Sequence, residues 1–324
     1  MIDSKMIRLD SCQLCPRRCG VDRDQGVRGF CHETSKIRAA RAALHFWEEP
    51  CISGTAGSGA VFFSGCTLRC VFCQNHDIAG SQVGKVISKE RLAEIFLELQ
   101  AKGANNINLV TAGHQLPSVI WALQRAKDQG LTIPIVYNTS SYESLASIQA
   151  LEGLVDIYLP DFKYVSTDLS ERYSHAKDYF KTASAAVGEM VRQTGSPRFF
   201  RKGQADKLYG ADWYNDHCDE KGEILIRRGT IVRHLLLPGC SQDSIKVIDY
   251  LYKTYGDQIY ISIMNQYTPL RTVQSMPELN RKVTEEEYDK VIDHAISLGI
   301  ENAFIQEGDV AKESFIPDFS YEGL

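Results

Sequence analysis

The feature that most constrains this chain is a strict alternation of short apolar runs with amphipathic stretches from residue 60 onward. Buried-strand runs stand at AVFF (60–63), NINLVTA (106–112), IPIVYNT (133–139), VDIYLPDF (155–162), TIVRHLLLPG (230–239) and IYISIMNQY (259–267), with ENAFIQ (301–306) as a last short one. Helical periodicity fills the intervals at 88–103, 117–130, 142–153, 176–194, 244–256 and 284–299. Ser88 and Gly103 bracket the first of these as N-cap and C-cap, and the last opens on a capping pattern at Thr284. Strand–helix units repeated in this way predict a parallel sheet covered by helices. Doubly wound and barrel topologies both satisfy the pattern.

The rhythm is broken twice. Residues 1–55 are short on periodicity and rich in Cys and Arg, and they read as a small metal-stapled lobe ahead of a core at 56–324. The stretch GTAGSG (54–59) reads as the joint between them. Residues 196–229 are polar and aromatic, and they read as an insertion, either a surface loop or part of a substrate lid.

Charge argues against some functions. A net charge of −5 gives no electrostatic basis for binding nucleic acid or an anionic membrane. No apolar run reaches the roughly 18 residues of a membrane span, and MIDSKMIRLD lacks the apolar stretch of a secretory signal. The expected location is the cytoplasm, where thiols stay reduced. Ten cysteines in such a chain point to metal, and seven of them fall into two groups. Cys51, Cys218 and Cys240 are scattered and are expected to be small buried hydrophobes.

The first group to consider is SGCTLRCVFCQN (64–75), with Cys66, Cys70 and Cys73 in C-x3-C-x2-C spacing directly after a strand. Thiolates are soft ligands suited to iron–sulfur clusters. An electron-transfer cluster takes four protein thiolates, so three in one loop leave one iron open, as a catalytic centre requires. Zinc with His76 as fourth ligand, or a four-thiolate cluster completed by Cys51, are the competing arrangements.

This loop, with aromatic Phe72 just before the third cysteine, resembles the signature of the radical SAM superfamily. NINLVTAGH, IPIVYNTSSYES, VDIYLPDFKY and VRHLLLPG are similar to its branch related to pyruvate formate-lyase activating enzymes, in particular a group with an N-terminal cysteine box. The resemblance implies an α/β fold, a partial (β/α)6 TIM-like barrel with a small N-terminal Cys-rich metal-binding lobe. It implies a 4Fe–4S cluster whose open iron holds S-adenosylmethionine (SAM). One electron then yields methionine and a 5′-deoxyadenosyl radical for hydrogen abstraction. An electron donor such as flavodoxin or ferredoxin follows, together with a protein substrate if the chain is a glycyl-radical-enzyme activase.

Carried over residue by residue, the resemblance sets Thr111 and Gly113 at the place of a GGE-type SAM motif whose Glu is absent here. His114 stands there as a candidate substrate-side acid or base. Asn138 and Ser140, with Ser141, follow the third strand as small polar SAM contacts. Asp161 and Lys163 resemble the activase Asp-x-Lys motif, and Arg233 begins an R-x4-P-G pattern whose fork would grip the SAM carboxylate. Asn265 and Gln266 at the sixth strand end would meet adenine or substrate.

The second group, Cys12, Cys15, Cys19 and Cys31, has C-x2-C-x3-C-x11-C spacing. Four thiolates close a tetrahedral site, and zinc and an auxiliary iron–sulfur cluster both fit it. Arg17, Arg18, Arg23 and Arg28 lie around it and would offset the thiolate charge. Three functions stay open: an activase, a radical modifier of a small molecule or peptide, and a non-catalytic iron–sulfur or zinc protein.

Overall fold

The structure is a computed structural model that describes residues 8–80, 83–220, 222–306 and 318–324. The first strand is β1 (Ile37–His45), followed by the short helix α1 (Pro50–Ser53) and by β2 (Ser58–Phe63). Then come α2 (His76–Ala79), β3 (Lys85–Ile87), α3 (Lys89–Ala101), β4 (Ile107–Val110), α4 (Leu116–Asp128), β5 (Ile135–Thr139), α5 (Leu145–Gln149) and β6 (Ile157–Pro160). The second half holds α6 (Thr167–Ser174), α7 (Tyr179–Thr194), β7 (Arg198–Arg201), α8 (Ala211–His217), β8 (Ile224–Leu235), α9 (Ser241–Tyr255), β9 (Tyr260–Met264), α10 (Glu285–Ser297) and β10 (Ala303–Ile305).

The strand order is β10-β9-β8-β6-β5-β4-β2-β1-β3, with every pair from β2 to β10 parallel. The path does not close on itself, so this is a partial α/β barrel of the TIM-like kind. The expected caps are present: the Ser88 hydroxyl accepts from the Arg91 amide at 3.0 Å, and Thr284 and Glu287 form a reciprocal capping box.

The period of two along each strand separates two interiors. Ile135 and Tyr137 of β5 and Tyr158 of β6 pack outward against the helical layer, with Phe96 and Leu123 in the same core. Val136, Ile157, Leu159, Ile231 and Tyr260 point inward, where they meet Cys51 and Ile52. The helix α1 is therefore a plug in the barrel floor. The Asn106 side-chain amide fixes it by donating to the Ile52 carbonyl at 2.8 Å.

Two expectations about organisation change. Residues 37–55 belong to the barrel's sheet and floor, so the cysteine-rich part that stands apart from the sheet ends near the start of β1, not at 55. The 196–229 stretch is not a lid. It forms β7 and α8 and pairs Arg198–Arg201 antiparallel with Ile224–Arg228 at the beginning of β8. That is the end of the barrel away from the strand C-termini, and a stacked Tyr209–Trp213–His217 pile explains its aromatic content. Of the scattered cysteines, Cys51 is buried as expected, Cys240 is half-buried, and Cys218 is exposed at the end of α8.

Candidate active site at the strand C-termini

In a β/α barrel the chemistry sits where the parallel strands end. Here β2 runs directly into the Cys66–Cys73 loop. The three cysteines border a cavity of about 210 Å³ that is open to solvent. Thr111 after β4, Asn138 and Thr139 of β5, Ser140 just beyond, Asp161 and Lys163 after β6, Arg233 of β8, and Met264 and Gln266 at the end of β9 complete its main wall. Among the described residues no three His, Cys, Asp or Glu side chains converge tightly enough for a single metal ion. A cubane cluster spreads its thiolates more widely than an ion bound at about 2.3 Å per sulfur.

The loop is held at both sulfur ends. The Leu68 and Arg69 amides approach Cys66 Sγ at 3.3 and 3.5 Å, and the Ser174 hydroxyl donates to Cys70 Sγ at 3.0 Å. Gln74 donates to the Gln266 carbonyl at 2.9 Å and ties the loop to β9. Burial pushes the Cys70 thiol up to about 11 and raises Cys73 further, so both stay protonated at neutral pH until a metal displaces the proton. The donor set therefore fits a cluster with an open position. Cys51 is in the floor plug, and His76 is an exposed partner of Asp77 at 3.1 Å, so neither stands on the cavity as a fourth ligand.

Beneath the cysteines lies a buried charge network. Arg233 donates from Nε to Asp161 at 3.0 Å, from Nη1 to Glu48 at 2.9 Å and from Nη2 to Asn138 at 2.6 Å. Lys163 Nζ holds the other Asp161 oxygen at 2.8 Å. Burial alone would raise the Asp161 carboxyl, yet Lys163 and Arg233 together hold it below its ordinary value. Burial likewise opposes the Lys163 ammonium, and Asp161 outweighs it and raises the group. Arg233 is thus not a free fork, because all three of its nitrogens are already engaged. Its inward direction follows from the alternation on β8, which sends His234 outward to the Phe162 carbonyl at 2.7 Å.

Glu48 is the residue that sequence reasoning missed. It lies between β1 and the floor plug, accepts from Asn108 at 2.9 Å and also lines the cavity with His45, Trp47 and Phe62. The adjacent Glu49 is buried, which raises its carboxyl.

Three expected site residues stand behind the wall and not on the cavity. His114 is 2% exposed, and its Nε2 donates to the Ser64 carbonyl at 2.6 Å. Burial drives it down to about 3, so it is neutral. Gly113 packs on Glu143, whose carboxylate would be 2.5 Å from a Cβ at that position. The amide of Asn265 is occupied by Gln306 at 2.9 Å, and its neighbour Gln266 faces the cavity instead.

Strained backbone clusters here. Of seven non-glycine residues with positive φ among the described residues, Arg69, Thr111 and Ser141 stand in the loop or at strand ends. Arg18 and His32 lie in the cysteine box, and His175 closes α6. A β-branched residue at φ 60°, as Thr111 is, costs energy that functional sites commonly bear.

A three-thiolate loop thus stands over the mouth of a parallel β/α barrel. Residues 52–175 match the family model described as a 4Fe-4S single cluster domain. The C-x3-C-x2-C loop lies inside that span. A curated relative, "Uncharacterized protein MJ0674" of Methanocaldococcus jannaschii, is 28% identical over 296 residues, covering 88% of this chain and 74% of that protein. Among solved structures, HydG, a maturase of the [FeFe]-hydrogenase, aligns at 12% identity and TM-score 0.47 over 79% of this chain and 54% of that one. Streptococcus suis SuiB bound to precursor peptide SuiA aligns at 9% identity and TM-score 0.46 over 76% and 47%. The chain thus spans about half the length of these solved structures. Among the described residues no helix is long and apolar enough to cross a membrane.

Proposed function

We propose that Cys66, Cys70 and Cys73 hold a 4Fe–4S cluster with which this chain cleaves SAM reductively to start radical chemistry on a separate substrate. The observation that carries this reading is that three thiols and the buried Glu48–Arg233–Asp161–Lys163 network share one cavity. When bound, the cluster supplies the electron that splits a carbon–sulfur bond of SAM, and the resulting 5′-deoxyadenosyl radical takes a hydrogen atom from the substrate.

The chain's own residues bind and orient. Lys163, 14% exposed, suits a carboxylate, and the remaining lone pairs of Asp161 suit ribose hydroxyls. Thr111, Asn138, Ser140 and Gln266 offer neutral polar contacts around the same space. Arg233 acts mainly by holding Asp161 and Asn138 in place, with its remaining N–H groups turned to ligand. The apolar floor around Ile52 keeps water from entering below. Cys12, Cys15, Cys19 and Cys31 hold a second metal centre, zinc or iron–sulfur.

The specific activity proposed is that of an activase, which takes hydrogen from a glycine of a partner protein and draws its electron from a flavodoxin or ferredoxin. The similarity of the Asp161-x-Lys163 and Arg233 stretches to activating enzymes supports it. The test is anaerobic reconstitution, reduction and chromatographic detection of 5′-deoxyadenosine. An intact cluster that releases none refutes the reading. A glycyl radical signal in a co-incubated glycyl radical enzyme establishes the activase, and deoxyadenosine without that signal in any such partner directs the search to small molecules or peptides.

A further inference from the structure

The cysteine box is not a separate appendage. Gly65, the residue before Cys66, sits so close to it that a Cβ there would be 2.6 Å from the Cys31 carbonyl oxygen. Two arginines of the box reach across this seam. Arg23, 1% exposed, lies 3.7 Å from Cys12 Sγ and donates to the His114 carbonyl at 2.7 Å, and the His114 ring in turn holds Ser64. Arg17, between Cys15 and Cys19, donates from Nε to the Thr67 carbonyl at 2.9 Å and from Nη2 to the Ser174 carbonyl at 3.1 Å, and it also bonds the His175 carbonyl. Its guanidinium is fixed over the rings of Phe30 at 4.0 Å and Tyr142 at 4.9 Å.

Arg17 therefore caps the C-terminal end of α6 with a cation, where carbonyls lack helical partners. That end presents Ser174. The Tyr164 hydroxyl bonds Ser174 Oγ at 2.8 Å, and Ser174 Oγ donates to Cys70 Sγ at 3.0 Å. Hydrogen bonds to cluster sulfurs raise the reduction potential, because they stabilise the more negative reduced state.

We infer that the cysteine box positions the Cys66–Cys73 loop through Arg17, and that Arg17, Ser174 and Tyr164 together set the reduction potential of the cluster on that loop. This rests on the loop cluster proposed above. These three are positioning residues that do not touch SAM.

The test is a redox titration of the anaerobically reconstituted full chain, followed by electron paramagnetic resonance, with iron and sulfide measured on each sample. Ser174→Ala shifts the midpoint to more negative potential with unchanged iron and sulfide. Tyr164→Phe shifts it in the same direction by less. Arg17→Lys keeps the charge but loses the three-way grip, and it also shifts the midpoint negatively. A wild-type midpoint in Ser174→Ala at full iron content overturns the inference. A shift in Ser174→Ala with none in Arg17→Lys overturns the part assigned to the box. Unaltered protein that binds no iron on the loop sinks the functional reading and this inference together.

Discussion

Replacing Arg233 by Met tests the charge network directly. Methionine has similar length and no charge, so the cavity shape is largely kept while Glu48, Asp161 and Asn138 each lose a donor. Asp161 keeps Lys163 at 2.8 Å, so the carboxylate left without a cation is Glu48, whose side chain is 7% exposed. Breaking one side of a buried ion pair costs about 3–5 kcal/mol, mostly from the charge left behind. Glu48→Gln alone costs about 1–3 kcal/mol, because Arg233 and Asn108 donate to different Glu48 oxygens and the single Gln carbonyl oxygen can accept from only one of them. The double variant Arg233→Met/Glu48→Gln removes the Glu48 charge that Arg233→Met leaves behind, so it should be more stable than Arg233→Met, with a coupling of about 1–3 kcal/mol. At about 2 °C per kcal/mol for a large domain, Arg233→Met should melt roughly 6–10 °C below the unaltered protein. The assay is anaerobic differential scanning calorimetry of matched cluster-loaded samples at one scan rate. A double variant no more stable than Arg233→Met would refute the reasoning.

Cys70→Ala should abolish both the loop cluster and SAM cleavage, read as iron content and 5′-deoxyadenosine release. Cys15→Ser should lose the box metal while the loop keeps its iron; full metal content by elemental analysis would show that the box is no metal site. Gly65→Ala forces a left-handed backbone, φ 87°, on a residue with a side chain and drives its Cβ against Cys31. The backbone alone costs about 1–2 kcal/mol, and the loop should load less cluster, measured as iron per chain. The Asp161 carboxyl is raised by burial but lowered more by Lys163 and Arg233, so its folded value lies below its unfolded value of about 3.9. Its stabilisation is present above that unfolded value and is lost as pH falls through the lower folded one. Asp161→Asn should therefore destabilise at neutral pH and flatten this acid limb in urea unfolding followed across pH.

Much of the barrel is legible from periodicity, because its parallel strands are buried on both faces and flanked by helices with strong caps. What the sequence hides is pairing across distance. β1 reads as an irregular stretch because Arg38 and Arg41 interrupt its alanines, and its antiparallel matches to β2 and β3 make it a strand. Glu48 carries no local signal either; its role appears only when α1 plugs the floor and turns it toward Arg233. The 196–229 stretch reads as either a surface loop or part of a lid because polarity and aromatics say nothing about which end of a barrel they decorate. The three-cysteine loop is legible because its spacing is local, and Thr111, Asn138, Ser140, Asp161, Lys163 and Arg233, singled out by the resemblance of the stretches around them, all border the same cavity. His114 misleads because a histidine after a strand looks reactive until its burial is known.

Residues 318–322 brace β1 and the cavity wall beside it. Ala42 donates to the Glu322 carbonyl at 2.8 Å, Arg41 to the Asp318 carbonyl across 277 positions, and Phe319 stacks edgewise on Phe62 in the cavity wall. Contacts so distant in sequence form slowly. The side of the chamber facing β1 should thus be the last to set during biosynthesis.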